Sequence, residues 1–107
     1  MFRVGLNPYG LTCTLGLQGL GTSRANPRGT GLRGFVEIAR GIGAECLELD
    51  GRWLADLSDA ELAGLKGDLD GETLICSYWL AHAPGETLSE AVRRTAAIGA
   101  GLIRLHL

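Results

Sequence analysis

The sequence predicts an α/β domain in which four parallel strands alternate with three helices. The first observation is a repeat: IGAECLELD begins at Ile42, and IGAGLIRLH begins 56 positions later, at Ile98. Each copy reads as a last helical turn, a glycine suited to the left-handed conformation and a short apolar strand. The second observation is that the residues between the copies have room for one more helix and strand. Together they indicate a parallel α/β repeat.

The two copies also agree in the phase of their strands. Because successive strand side chains point to opposite faces, Leu47 and Leu49 share one face. The other face carries charged or polar side chains in both copies: Glu48, Asp50, Arg104 and His106. We expect the aliphatic face to meet the helices and the polar face to look toward a barrel axis.

Strand one and a long glycine-rich segment fill the first third of the chain. Strand one is the run FRVGLN at 2–7, where apolar and other residues alternate, and Pro8 follows it. The segment 10–31 shows no period. We expect an ordered loop that covers a ligand, because recurring leucines are uncommon in disordered linkers. Arg24 in this loop would either reach the ligand or face solvent.

The later elements follow from apolar stripes and helix-start signals. Helix one is predicted at 32–42, strand two at 46–50, helix two at 58–69, strand three at 73–79, helix three at 87–98 and strand four at 102–107. Capping boxes open the second and third helices at Ser58 and Thr87, each with a glutamate three residues on. Strand three, with ICSYW at its centre, has no clear phase and resembles a strand buried on both faces.

Composition and charge narrow the class of protein. The net charge is −2, yet the first 36 residues hold four arginines and no acid. That cationic third would attract an anionic small molecule or would simply be solvated. Duplex nucleic acid would require a denser basic stripe, and no segment reaches membrane-spanning length, so neither partner is expected. Three cysteines without a CxxC pair, two of them in predicted strands, favour a reduced, cytoplasmic setting.

A glycine pattern raises one alternative. Gly29 to Gly34 match GxGxxG, and Asp50 ends the next strand, as in a dinucleotide-binding fingerprint. That fingerprint needs its glycines directly after strand one, so that the helix N-terminus faces the pyrophosphate. Here roughly 20 residues intervene, which makes the dinucleotide-binding domain the less favoured interpretation.

The number of units predicts half of a (β/α)8 TIM barrel, as a single partial domain at 1–107. A complete barrel needs about 250 residues, and this chain has 107. A parallel sheet is normally covered on both faces, so we expect a missing C-terminal half or a second copy to cover the polar face. Glu48 and Arg104 hold equivalent positions on alternate strands and are predicted to pair in one interior layer.

The chain resembles the N-terminal half of the xylose isomerase-like TIM barrels. The resemblance is carried by VGLNPY at 4–9, IGAECLELD at 42–50 and IGAGLIRLHL at 98–107, and it covers essentially the whole chain. The superfamily includes sugar and sugar-phosphate isomerases and epimerases, inosose dehydratases and apurinic endonucleases. The resemblance implies a divalent metal, Mn²⁺, Mg²⁺, Co²⁺ or Zn²⁺. Its usual ligands lie mainly on strands five to eight, so no metal ligand is assigned in this chain.

The resemblance also implies the site residues. An acidic residue at the end of strand two and a histidine near the end of strand four often line the pocket, which makes Asp50 and His106 the catalytic candidates. The substrate-binding candidates are Asn7, Tyr9, Arg24, Glu48, Trp53 and His82. Structural roles stay open: Asp50 also suits the start of a turn, and Glu48 a charge pair without chemistry.

We therefore expect the N-terminal part of a metal-dependent sugar or sugar-phosphate isomerase or epimerase, or of a polyol dehydratase, inactive alone. Its substrate would be a small carbohydrate or polyol. The alternative is a non-catalytic half-barrel that forms a homodimer or binds a partner through its exposed sheet face.

Overall fold

The four strands of the computed structural model form one parallel sheet in the order β1-β2-β3-β4. The structure describes residues 3–70, 73–79 and 87–106. The elements are β1 Gly5–Leu6, α1 Thr12–Leu15, α2 Gly31–Gly41, β2 Cys46–Asp50, a 3₁₀ turn Gly51–Trp53, α3 Asp59–Leu69, β3 Thr73–Trp79, α4 Leu88–Ala97 and β4 Leu102–His106. The predicted α/β class with four parallel strands is confirmed. In the part of the chain described, no helix combines the length and apolar character needed to cross a membrane.

The chain divides into two compact units, Met1–Leu47 and Glu48–Leu107, with the boundary inside β2. In the first unit the buried apolar side chains include Leu15, Leu17, Phe35, Val36, Ala39, Cys46 and Leu47. In the second unit they include Leu49, Leu54, Leu62, Leu69, Cys76, Tyr78, Ala91 and Ile98. Each unit therefore buries apolar residues from both its helices and its strands.

The first unit differs from the prediction at both of its early elements. The predicted loop contains the helix α1, so the described residues hold four α-helices and the prediction of three was wrong. A four-residue helix is barely one turn, too short to produce a detectable period. The loop is nevertheless ordered through its leucines, because Leu15 and Leu17 are buried.

Strand β1 is shorter than predicted because a side chain replaces its first ladder bond. The backbone N–H of Val4 donates to Oε1 of Glu45 at 3.1 Å, whereas the Glu45 N–H donates to the Val4 carbonyl at 2.7 Å. Regular parallel pairing begins only at Gly5, which is in register with Cys46. Phe2, predicted to begin the strand, lies outside the described residues.

The predicted repeat is confirmed at the ends of α2 and α4. Gly43 has φ 76° and Gly99 has φ 80°, both in the left-handed region that glycine adopts readily. In each copy the following alanine N–H donates to the carbonyl five residues earlier: Ala44 to Ala39 at 2.9 Å and Ala100 to Thr95 at 3.1 Å. This is the Schellman arrangement, and it appears twice at the same spacing.

The helix-start signals are confirmed as well. The Ser58 hydroxyl accepts a hydrogen bond from the Glu61 N–H at 3.1 Å, at the start of α3. The Thr87 hydroxyl accepts one from the Glu90 N–H at 3.2 Å, at the start of α4. Each bond satisfies one of the amides that the first helical turn leaves without a partner.

Candidate functional site

The second unit brings three polar side chains together on adjacent strands. Ser77 of β3 is in register with Arg104 of β4. Glu48 of β2 accepts two hydrogen bonds on Oε1, one from the Ser77 hydroxyl and one from Arg104 Nη1 at 3.0 Å. The predicted charge pair between Glu48 and Arg104 is therefore confirmed. We call Glu48, Ser77 and Arg104 the polar cluster.

The three side chains of the polar cluster differ in their exposure to solvent. Ser77 is fully buried and the Glu48 side chain is 11% exposed, whereas the Arg104 side chain is 51% exposed. A carboxylate removed from water needs compensating donors, and the cluster supplies two. Arg104 keeps part of its guanidinium in solvent, where planar N–H donors bind carboxylate, phosphate or hydroxyl oxygens.

The opposite face of the same strands packs on α4. Cys76 precedes Ser77 in β3 and is fully buried. Burial raises the pKa of Cys76 to about 12, and a hydrogen-bond contact with Thr95 of α4 acts in the opposite direction. Since Cys76 and Ser77 point to opposite faces, α4 and the polar cluster lie on opposite sides of β3. In this unit the predicted phase is correct: polar side chains face away from the helix.

Asp50 is fully buried and is held by a residue close to it in sequence. Its Oδ1 accepts from the backbone N–H of Arg52 at 2.9 Å and from Nε at 3.0 Å, while Oδ2 accepts from Nη2 at 3.0 Å. These bonds cap the 3₁₀ turn, which is the structural role that the sequence left open. They also fix the guanidinium of Arg52, whose side chain is 44% exposed, at the carboxyl end of β2. A catalytic role for Asp50 stays a prediction.

The other second-unit candidates lie where their strands end. His106 is the last residue of β4, partly exposed, and its backbone is in register with Trp79. Trp53 ends the 3₁₀ turn after β2 and is also partly exposed. The turn approaches β3 closely, because a Cβ at Gly51 would collide with the ring of Tyr78. His82 lies outside the described residues.

The first-unit candidates surround the end of β1 and the following loop. Asn7 is exposed, and its Oδ1 accepts from the Tyr9 N–H at 3.0 Å, which closes the turn after β1. Asn7 also lines an apolar groove of about 430 Å³. Arg24 is exposed, and its backbone N–H donates to the Thr22 hydroxyl at 3.2 Å. A substrate-binding role for these residues stays a prediction.

The glycines of the GxGxxG segment have local packing roles in the first unit. Gly29 lies against the backbone of Gly16, where a Cβ would collide. Gly31, the first residue of α2, has φ 62°. The segment follows α1 and a series of turns rather than β1 directly. This arrangement lacks the strand–glycine–helix continuity on which pyrophosphate binding depends.

Sequence reasoning missed two residues of this region, Ser77 and Arg52. Ser77 belongs to the strand whose phase the sequence did not define, although its single polar side chain among apolar neighbours was a usable signal. Arg52 follows Asp50 by two residues, which is the spacing of an Asx turn whose carboxylate accepts from the backbone N–H.

The described residues do not fit the divalent metal that the resemblance implies. Across 3–70, 73–79 and 87–106, no group of three or more His, Cys, Asp or Glu side chains is placed to hold a metal ion. Oxygen- or nitrogen-rich clusters of that kind are what catalytic divalent metals require. No chemical step is therefore assigned to a metal on these residues.

Comparison with known proteins adds no relative. No family model, no curated protein and no solved structure matches the chain. The resemblance to xylose isomerase-like barrels therefore stays a prediction from the sequence.

Proposed function

We propose that the chain forms the N-terminal, substrate-facing half of a metal-dependent sugar or sugar-phosphate isomerase or epimerase, or of a polyol dehydratase, of the xylose isomerase-like kind. The observation that carries the proposal is the polar cluster on the sheet face opposite α4. Enzymes built on parallel barrels bind substrates at the carboxyl ends of their strands, with polar side chains directed to that end. Glu48 and Arg104 lie two residues before Asp50 and His106, the last residues of β2 and β4, and Ser77 lies two residues before the end of β3. The polar cluster would therefore underlie a site at the carboxyl ends of these strands.

The residues of the second unit would bind and orient an oxygen-rich ligand. Arg104, anchored on one side by Glu48, presents its exposed N–H groups to hydroxyl or phosphate oxygens. His106 lies two positions further along β4, toward the carboxyl end, and an imidazole there would exchange a proton with a substrate hydroxyl. The Asp50–Arg52 pair supplies a second fixed guanidinium at the end of β2. Turnover would require groups that the described residues do not include.

A second candidate function is the non-catalytic half-barrel that dimerises or binds a partner. It is favoured by large apolar side chains that α4 and β4 leave exposed: Leu88, Val92, Leu102 and Leu105. Val92 and Leu102 line one groove, and exposed apolar surface of this kind is typical of interaction sites.

Ligand binding observed by amide NMR tests the enzymatic proposal. A neutral pentose, a cyclic polyol and a hexose phosphate are each titrated into the labelled chain at millimolar concentration. We expect saturable shifts at the amides of Ser77, Arg104 and His106 for at least one of them. Arg104→Gln and His106→Ala should each weaken that binding about tenfold, which corresponds to about 1.4 kcal/mol.

The matched control for this titration is Arg93→Gln. Arg93 lies on the outer surface of α4, where it pairs with Asp59 at 2.7 Å and with Glu90 at 3.0 Å. Its substitution removes one positive charge without touching the polar cluster. Equal weakening by Arg93→Gln would mean that only net charge matters. Absence of saturable shifts for all three compounds would overturn the proposal.

A further inference from the structure

β4 is an edge strand of the described sheet, and an apolar groove lies beside it. β4 is the last strand in the sheet order, and among the described strands it is adjacent only to β3. The groove, about 220 Å³, is lined by α4 and the start of β4, including Val92, Ala96, Leu102 and Ile103. Leu102 is 61% exposed. Unpaired strand edges with apolar surroundings readily accept another strand.

The first unit ends in a similar feature. β1 is the first strand in the sheet order. The apolar groove of about 430 Å³ is lined by β1, by the segment that follows it and by the end of α2 with the residue after it: Gly5, Leu6, Asn7, Gly10, Leu11, Ile38 and Ile42. Val4 and Ile42 are largely exposed. Each unit thus carries one edge strand with an apolar groove along it.

The repeat shows which strand fits beside β4. Gly5 of β1 is in register with Cys46, and Ile75 of β3 is in register with Leu102. Leu102 lies 56 positions after Cys46, as Ile98 lies after Ile42. β1 is therefore related to β2 as β3 is related to β4, so β1 and β3 are equivalent strands. β2 has β3 on its far side, and the equivalent neighbour of β4 is a β1-like strand.

The same equivalence identifies the polar contact at that position. Glu48 of β2 accepts from Ser77 of β3, its neighbour across the strands. The equivalent of Glu48 is Arg104, 56 positions on, and the equivalent of Ser77 is Asn7, two residues beyond Gly5 as Ser77 is beyond Ile75. An asparagine amide oxygen beside a half-exposed guanidinium is an acceptor beside a donor.

We propose that β4 of one copy of this chain pairs in parallel with β1 of a second copy, with Asn7 of the second copy beside Arg104. Two copies related by a two-fold axis make this contact twice, which pairs β1 and β4 of each copy. The groove along each edge strand then receives aliphatic side chains of the other copy. The interface requires only the sheet order and the repeat, so it holds whether or not the polar cluster binds a sugar.

Sedimentation equilibrium tests the stoichiometry. At micromolar concentrations the wild-type chain should sediment with twice the monomer mass. Leu102→Lys, which places a charge at the β4 edge, should shift the distribution to single chains, whereas Arg93→Gln should leave it unchanged. A folded wild-type chain that sediments only as a monomer would overturn the proposal, and so would larger, concentration-dependent assemblies.

Disulfide trapping tests the identity of the paired strands. The Asn7→Cys and Arg104→Cys chains are made in a Cys13→Ser background, which removes the exposed thiol. Each variant is oxidised alone, and a mixture of the two reduced variants is oxidised in parallel. Neighbouring strands place paired Cα atoms within disulfide reach, so the mixture should give a covalent dimer. Each variant alone should give little. Dimers from Arg104→Cys alone would mean that two β4 strands pair with each other, contrary to the proposal.

A second trapping experiment tests whether two copies make the β4–β1 contact twice. Its result does not depend on whether the chain binds a sugar. One chain carrying both cysteines should give a dimer closed by two disulfides, and a ladder of longer species would contradict the two-fold pair. Circular dichroism confirms that each variant is folded before it is scored. Absence of sugar binding by the wild-type chain, together with intact cross-linking of the cysteine variants, would contradict the enzymatic proposal alone.

Discussion

The α2–β2 and α4–β4 segments share a local structure and differ in their burial. Both helices end with a glycine at nearly the same φ, 76° and 80°, followed by a strand of five residues. Yet Leu49 of β2 is fully buried, whereas its counterpart Leu105 in β4 is 37% exposed. β2 lies between two strands and β4 is an edge strand in the described sheet. Local sequence thus determines the element, and the number of neighbours determines what the element buries.

The largest expected effect is a difference in the free energy of unfolding between matched substitutions in β2 and β4. Leu49→Ala should lower the free energy of unfolding by about 2–5 kcal/mol, because it leaves a cavity in a closed core. Leu105→Ala should cost about 1 kcal/mol, since water already reaches part of that side chain. Urea unfolding followed by circular dichroism measures both. Equal losses would contradict the difference in burial between β2 and β4.

The next effect is a pH dependence of the free energy of unfolding, caused by the buried thiol of Cys76 in β3. Burial raises the pKa of Cys76 to about 12 from an ordinary value of 9.0, so the folded chain holds that proton where the unfolded chain has lost it. Its contribution to stability is complete below about pH 9 and falls as the pH rises toward 12. Cys76→Ala should reduce this loss in urea titrations between those pH values, and Cys13→Ser, at an exposed thiol, should not. Identical slopes for wild type and Cys76→Ala would refute the assignment.

A smaller effect tests the similarity of the two copies. Gly43→Ala and Gly99→Ala each force an L-residue into the left-handed region, at a cost of about 1–2 kcal/mol. No atom crowds a Cβ at Gly43, and only the flexible Lys66 side chain approaches one at Gly99, so the cost is conformational in both copies. Thermal unfolding should show similar losses. A much larger loss at one site would mean that tertiary packing, not local geometry, holds that turn.

The smallest effect is the coupling between Glu48 and Arg104. A double-mutant cycle of Glu48→Gln and Arg104→Gln should give about 0.5–1 kcal/mol, because the Arg104 side chain is half exposed to water. The coupling should decrease at high salt, as expected for a partly exposed pair. The Arg93–Asp59 pair on the helix surface is the control, and its coupling should be weaker still. A coupling insensitive to salt would indicate a fully desolvated pair.

Capping and phase were predictable because they depend on neighbours in sequence. Ser58 and Thr87 bond an amide three residues away, and Gly43 ends its helix through its own backbone freedom. The Glu48–Arg104 pair was also predictable, although it joins residues far apart, since strand alternation and the 56-residue spacing place both on one face in the same layer.

Features that depend on packing were not predictable. The helix α1 is only one turn long, and the Glu45 side chain that shortens β1 accepts a hydrogen bond from Val4, which is 41 residues away in sequence. Ser77 was missed because a strand of mostly apolar residues has no visible phase. Its face became known only from the hydrogen bond to Glu48 and from the contact of Cys76 with α4.

The sequence by itself determined the parallel α/β class, the repeated helix ends and the polar face of the second unit. Each of these follows from backbone freedom, capping or side-chain alternation over a few residues. Only the tertiary structure decided that Asp50 is fully buried, that Ser77 completes the polar cluster and that β4 stays exposed. The physical reason is that burial and hydrogen-bond partners depend on which segments meet in space.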